Sequence, residues 1–175
     1  MMKSSKFVYF AAIAASAFFA GCSQPPPASQ QAIVKPDTSN AITHIRATGN
    51  QFDSDVEVHP LRDPAVDGLL DQSRKLEAQQ QPAQALQPVA HALQIAPNSP
   101  DILQFQAELF VETGDWKQAM SSAQKSYDLG PKVGALCARN LQTLVEVGNA
   151  LSDANAVTVA KQKMSGCRVP APNRF

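Results

Sequence analysis

The sequence predicts an all-α fold: an array of about three helix–turn–helix repeats behind a flexible N-terminal linker. Three observations predict it. Landmark residues recur 34 positions apart: Ala85 as Ala119, Pro97 as Pro131, and Gln80-Gln81 as Gly114-Asp115, with Gly148-Asn149 another 34 on. Between the landmarks, apolar residues fall at helical spacing, as in Leu103, Ala107, Phe110 and then Ala119, Ala123. Aromatic residues make up only 6% of the 175, which suits alanine-rich helix packing better than a β sandwich. A fixed period of a few tens of residues is the mark of stacked supersecondary units.

The chain begins with a targeting element, residues 1–21. Lys3 and Lys6 form a positive region ahead of an apolar stretch, residues 7–20, too short to span a bilayer and ending in small residues. The run Phe19-Ala20-Gly21-Cys22 resembles the lipobox of bacterial lipoproteins. Phe19 stands where leucine is commoner. The resemblance implies lipidation of Cys22, cleavage before it, and anchoring by several acyl chains at about 0.8 kcal/mol per buried CH₂. Ser23, rather than aspartate, next to the cysteine implies the outer membrane by the same resemblance. An ordinary cleaved leader with a stray cysteine is the alternative.

Residues 22–62 read as a linker. Pro25, Pro26 and Pro27 among small polar residues give a stiff, unburied run, and Ser, Thr, Asn and Gly continue to Asn50. Forty such residues would reach about 35 Å. Asp55-Val56-Glu57-Val58 alternates and suggests a short extended segment; His44 and His59 read as solvated loop residues. The array is expected over residues 63–167, with a tail at 168–175. Asp63 caps its start and Pro64 takes the first helical position. First helices are expected near 64–79, 99–113 and 132–147, and second helices near 82–95, 115–129 and 151–165. Ala85 and Ala119 suit close helix crossings, with Phe110 filling the space they leave, and Pro97 and Pro131 stop the second helices. Pro88 lies inside a helix and should bend it. The third repeat has slipped: Asp153 falls where the period expects alanine and Ala154 follows, so its turn is expected to hold one extra residue.

Leu76-x8-Ala85-x11-Pro97 and Phe110-x8-Ala119-x11-Pro131, in matching register, resemble the tetratricopeptide (TPR) family over about a hundred residues, from Val66 to near Cys167. That resemblance implies protein–protein interaction and a concave groove lined by the first helices. The matching positions are Asp67, Leu70, Arg74 and Glu77; Asp101, Gln104, Glu108, Val111 and Glu112; Ala135, Ala138, Gln142, Val145 and Glu146. They carry six carboxylates against one arginine, without the lysine–asparagine clamp of some family members. An acidic groove with an apolar stripe (Leu70, Val111, Val145) is expected to suit a polar-to-basic segment or helix; a merely solvated face is the alternative.

Cys137 and Cys167 fall at the same end of the third hairpin, and a disulfide between them is expected in an oxidising compartment. Two buried thiols and a metal site are the other options; no histidine lies in that repeat to complete a zinc set. Pro170 and Pro172 prevent a capping helix, leaving Val157, Ala160 and Met164 to face water, a partner or a second copy in a homodimer. Trp116 reads as packing under a turn rather than as a binding residue. No catalytic triad, metalloprotease motif or phosphate loop appears, so no enzyme and no cofactor beyond the lipid on Cys22 are expected. Formal charge is zero and turns slightly acidic without Lys3 and Lys6, which argues against nucleic acid. The expected function is a membrane-anchored, periplasm-facing adaptor or assembly scaffold, the class of TPR lipoprotein that assists pilus secretins, peptidoglycan synthases or other envelope complexes. The alternative is an inhibitory, immunity-type or structural lipoprotein that occludes a periplasmic enzyme.

Overall fold

The computed structural model describes residues 37–52 and 61–168. The leader, Cys22, the proline-rich run, the extended segment at 55–58, His59 and the tail beyond Arg168 lie outside the described residues. Within them the regular structure is helical: α1 (Thr38–Gln51), α2 (Pro64–Ala78), α3 (Pro82–Ile95), α4 (Pro100–Thr113), α5 (Trp116–Leu129), α6 (Gly134–Ala150), α7 (Ala154–Met164) and a terminal 3-10 turn, Ser165–Cys167. Helices α2 to α7 pair as antiparallel hairpins, and each hairpin packs on the next, giving the helical repeat array expected from the period.

Local chemistry sets the hairpin turns. Each ends its first helix on a left-handed residue, Gln80 (φ 61°), Gly114 (φ 78°) or Ser152 (φ 58°). The next residue's N–H returns to a carbonyl five back: Gln81 to Leu76 (3.0 Å), Asp115 to Phe110 (2.8 Å), Asp153 to Gly148 (2.8 Å). This is the Schellman arrangement, which satisfies carbonyls that the helix end would orphan. The side chains of Asp115 and Asp153 then accept from Gln118 N (3.3 Å) and Ala156 N (2.9 Å), capping α5 and α7. Asp63 caps α2 in the same manner, with Pro64 at the first position.

These bonds correct the reading of the third repeat. Leu76 and Phe110 are 34 apart, but Phe110 and Gly148 are 38 apart, so the slip is four residues, one helical turn added to α6, and not a single residue in the loop. Gly148-Asn149 therefore lies inside α6, and Ser152-Asp153 takes the turn. Val157 occupies the place of Ala85 and Ala119, both fully buried. A Cβ on Gly148 would stand 2.8 Å from Val157 Cγ2, so the bulky and small partners of this crossing have traded sides.

Two further expectations change. Residues 38–51, assigned to the linker, form α1, capped by Asp37, whose carboxylate accepts from Ser39 N (3.0 Å) and Asn40 N (3.2 Å). Its apolar residues Ala41, Ile42 and Ile45 make one buried stripe, which tertiary packing turns into a helix despite modest propensity. At the far end Ala160 is buried, and Val157 and Met164 pack partly into a core of Ala107, Ala123, Leu141, Leu144 and Val145; the exposed aliphatics are Leu151 and Val159. Cys137 and Cys167 are joined in a disulfide inside that core. Pro88 is buried within an α3 that runs unbroken to Ile95.

Candidate functional site

The first helices of the hairpins, α2, α4 and α6, carry the positions expected to line a groove, and α1 lies against that face. It packs along α6 and touches α4. Ile45, with no exposed surface, and Ile42 enter a cluster with Val111, Ala119 and Val147, bordered by Phe110, Trp116 and Met120. Trp116 thus packs, half-buried, as its sequence position suggested. At Gly49 the two helices cross so closely that a Cβ would lie 2.4 Å from Arg139 Cγ and 2.7 Å from its Cδ.

Charge concentrates beneath this helix. Glu108 on α4 is fully buried and accepts from Arg46 Nε (2.9 Å), Arg139 Nε (2.9 Å) and Gln104 Nε2 (2.9 Å). Gln104, also buried, donates to Thr143 Oγ1 (2.8 Å), which donates to the Arg139 carbonyl (2.9 Å). Arg46 of α1 also pairs with Glu77 of α2 and approaches Glu112 at 3.5 Å. One guanidinium from α1 thereby ties α2 to α4. Burial by itself would lower the Arg46 pKa, but the charges and hydrogen bonds of Glu108 and Glu77 outweigh it and hold the pKa above the usual range. Glu112 is pushed up to about 7, first by burial and then by the hydrogen bond and charge of Glu77, with Arg46 opposing. At the other margin, Gln142 donates to Glu146 (2.7 Å), which also meets His44 Nδ1 at 3.2 Å. His44 is thus a solvent-exposed helix residue within hydrogen-bond reach of Glu146, not a loop residue.

The structure redistributes the other groove candidates. Leu70 belongs to the α2–α3–α4 core and Val145 to the core around the disulfide, so neither forms an apolar stripe on an open face. Val111 lies under α1. Asp67 and Asp101 sit with Arg62 at the start of α2, away from the cluster. Arg74 pairs with Asp71 (3.1 Å) and stacks over Phe105. Ala138 is buried beside Cys137. Glu77, Glu108, Glu112, Gln104, Gln142 and Glu146 remain on the inner face, joined by residues outside the expected set: Arg46, Arg139, Thr143 and His44. The pattern Ala41-Ile42-x-x-Ile45-x-x-x-Gly49 behind Asp37 was the available signal for α1.

One part of the face stays open. A cleft of about 520 Å³ runs between the N-terminal half of α1 and the end of α2, walled by Thr38, Thr43 and Arg46 on one side and by Arg74, Glu77, Pro82 and Glu112 on the other. A smaller hollow of about 160 Å³ lies beside α7, lined by Met120, Leu144, Val159 and Lys163. Among the described residues no cluster of histidine, cysteine and carboxylate is arranged to hold a metal ion.

The fold and this face define a helical-repeat array that carries a helix of its own chain across its inner surface. No protein-family model and no curated protein sequence matches the chain. Among solved structures, the globular C-terminal domain of LpoP from P. aeruginosa resembles it with a TM-score of 0.54 and 22% identity, covering 60% of this chain and 99% of that domain. At that identity the likeness is one of fold.

Proposed function

We propose that this chain is a membrane-anchored lipoprotein of the bacterial envelope, held through Cys22 and facing the periplasm from the outer membrane, and that its array is of TPR type. The array serves as a protein-binding adaptor or assembly scaffold for an envelope complex. The observation that carries the reading is the array itself: stacked hairpins, with α1 laid across them, leave a polar cleft open on the inner face, a geometry for holding a partner's segment. Three features support the setting. Residues 19–22 resemble a lipobox, the Cys137–Cys167 disulfide suits an oxidising compartment, and the fold likeness is to the globular C-terminal domain of LpoP.

The test places a photo-crosslinking amino acid at Thr43 in the cleft and, as a control, at exposed His91 on α3, with alkyne-palmitate labelling in intact cells. Label on the wild type but not on Cys22→Ser, with a discrete crosslinked protein from position 43 alone, is expected. Unlabelled protein, or the same crosslinks from both positions, overturns the reading.

A further inference from the structure

We propose that α1 is an exchangeable occupant of the inner face, and that the face takes in its place an amphipathic helix of a partner carrying small, branched aliphatic and arginine side chains in the order that α1 has them. The inference deepens the adaptor reading and rests on it for the competitor being a partner protein.

Shape supports this first. The face is formed to receive a helix: Val111, Ala119 and Val147 make a seat for Ile42 and Ile45, and at Gly49 the crossing is so close that any Cβ would displace the Arg139 side chain. The helix in that seat stands outside the hairpins: it packs on α6 and α4 and has no neighbour in sequence as an antiparallel partner. Of its 14 residues it buries four, Ala41, Ile42, Ile45 and Gly49, as many as α3 and α5 bury. The open cleft runs along its N-terminal half, so that half is flanked by protein on one side only and offers a competitor a place to start. Proteins open in cooperative units that coincide with supersecondary motifs, and α1 belongs to none of the hairpins.

Charge fixes what the competitor must bring. Glu77, Glu108 and Glu112 project from α2 and α4, so they remain when α1 leaves, and Arg139 alone then faces Glu108. A helix that covers these three carboxylates with Arg139 as their only guanidinium leaves buried negative charge unanswered, which is costly. A helix entering the seat therefore needs a guanidinium where Arg46 stands, directly after the second of two aliphatic residues spaced as Ile42 and Ile45 are, and is best served by glycine three residues further on. An acidic or uniformly apolar helix does not meet that requirement.

Two measurements on the full chain test it. In native-state hydrogen exchange, amides of α1 are expected to exchange at least about 100-fold faster than those of α4 and α6, through an opening that leaves the array intact. Exchange of α1 only together with α4 and α6 makes it a fixed part of the core and overturns the proposal. In the second measurement a fluorescein-labelled peptide of residues 37–52 is added to the wild type and to Ile45→Asp, whose own α1 is unseated. Because a tethered helix acts at about millimolar effective concentration, the wild type should exclude the peptide at micromolar levels. Ile45→Asp should bind it at least about 10-fold more tightly, and a peptide with Arg46→Glu should not bind. A folded Ile45→Asp that ignores the peptide, or binds both peptides alike, overturns the proposal; should that variant not fold, the exchange data decide alone. Neither measurement involves lipid or an envelope partner, so failure here is distinct from failure of the crosslinking test.

Discussion

Replacing Glu108 with glutamine removes one charge and almost no volume, and its effect follows from the contacts. The carboxylate accepts from Arg46 Nε, Arg139 Nε and Gln104 Nε2, each at 2.9 Å, with a further Arg139 contact at 2.5 Å. An amide offers one acceptor oxygen and turns an NH₂ toward a guanidinium, so at least one donor pair faces another donor. Breaking a buried pair by removing one partner costs about 3–5 kcal/mol. The guanidinium side chains are 41% and 34% exposed, so water recovers part of the loss, and about 3 kcal/mol is the expected figure. With a urea m-value of about 1.5 kcal/mol/M, the unfolding midpoint should fall by about 2 M. The control is Glu146→Gln at the margin, whose partner His44 is 63% exposed; it should cost less than about 1 kcal/mol. A Glu108→Gln midpoint within about 0.5 M of the wild type, or equal to that of Glu146→Gln, would refute the placing of the buried carboxylate at the centre of the inner face.

Four other outcomes are expected. Glu112, at about 7 against an ordinary 4.5, binds its proton more tightly in the folded state, so its contribution is full below pH 4.5 and is lost as pH rises through 7. Urea midpoints across that range should therefore decline more in the wild type than in Glu112→Gln. At the hairpin turns, Gln80→Gly and Ser152→Gly should relieve left-handed backbones and raise stability by up to about 1 kcal/mol, whereas Gly114→Ala should lower it by about 1 kcal/mol, read by thermal melts. Gly148→Ala should cost about 1–3 kcal/mol through its clash with Val157, and Val157→Ala in the same chain should restore most of it. Opening the 30-residue loop closed by Cys137–Cys167, with reductant or a double serine variant, should remove about 3.5 kcal/mol in the chain-entropy account, seen as a lower melting temperature in reducing than in non-reducing buffer.

The hairpins were legible because turn chemistry and helical spacing are local. Gln80-Gln81 and Gly114-Asp115 mark real turns, and the expected bounds of α2 to α5 lie within two residues of those observed. The third hairpin was misread because its landmark glycine is doing another job: Gly148 makes room for Val157 and does not turn the chain. Helix α1 escaped notice because Thr, Ser, Asn and Gly dilute its stripe, and its stability comes from surfaces 60 to 100 residues away, as the separation of Arg46 from Glu108 shows. The site was legible by half. A count of groove positions found the carboxylates, but the arginines that answer them sit on α1 and on a flank of α6, which a groove-position count does not include. Leu70 and Val145 were assigned outward because side-chain direction within a helix pair depends on neighbours that sequence spacing does not specify.

The exchange at the third crossing also says something about how such repeats can change. A Phe110–Ala119 type of contact and a Gly148–Val157 type of contact fill one space by opposite means. Moving between them one substitution at a time has a preferred order of risk. Enlarging the alanine first forces a clash of about 1–3 kcal/mol, and shrinking the aromatic first opens a void that costs about 3–5 kcal/mol. Either intermediate spends a large share of a small domain's stability, unless something else holds that hairpin closed meanwhile. The last hairpin is the one that carries a covalent cross-link. A disulfide there widens the set of sequences the terminal repeat can pass through, and so permits the part of the array that has departed furthest from the 34-residue pattern.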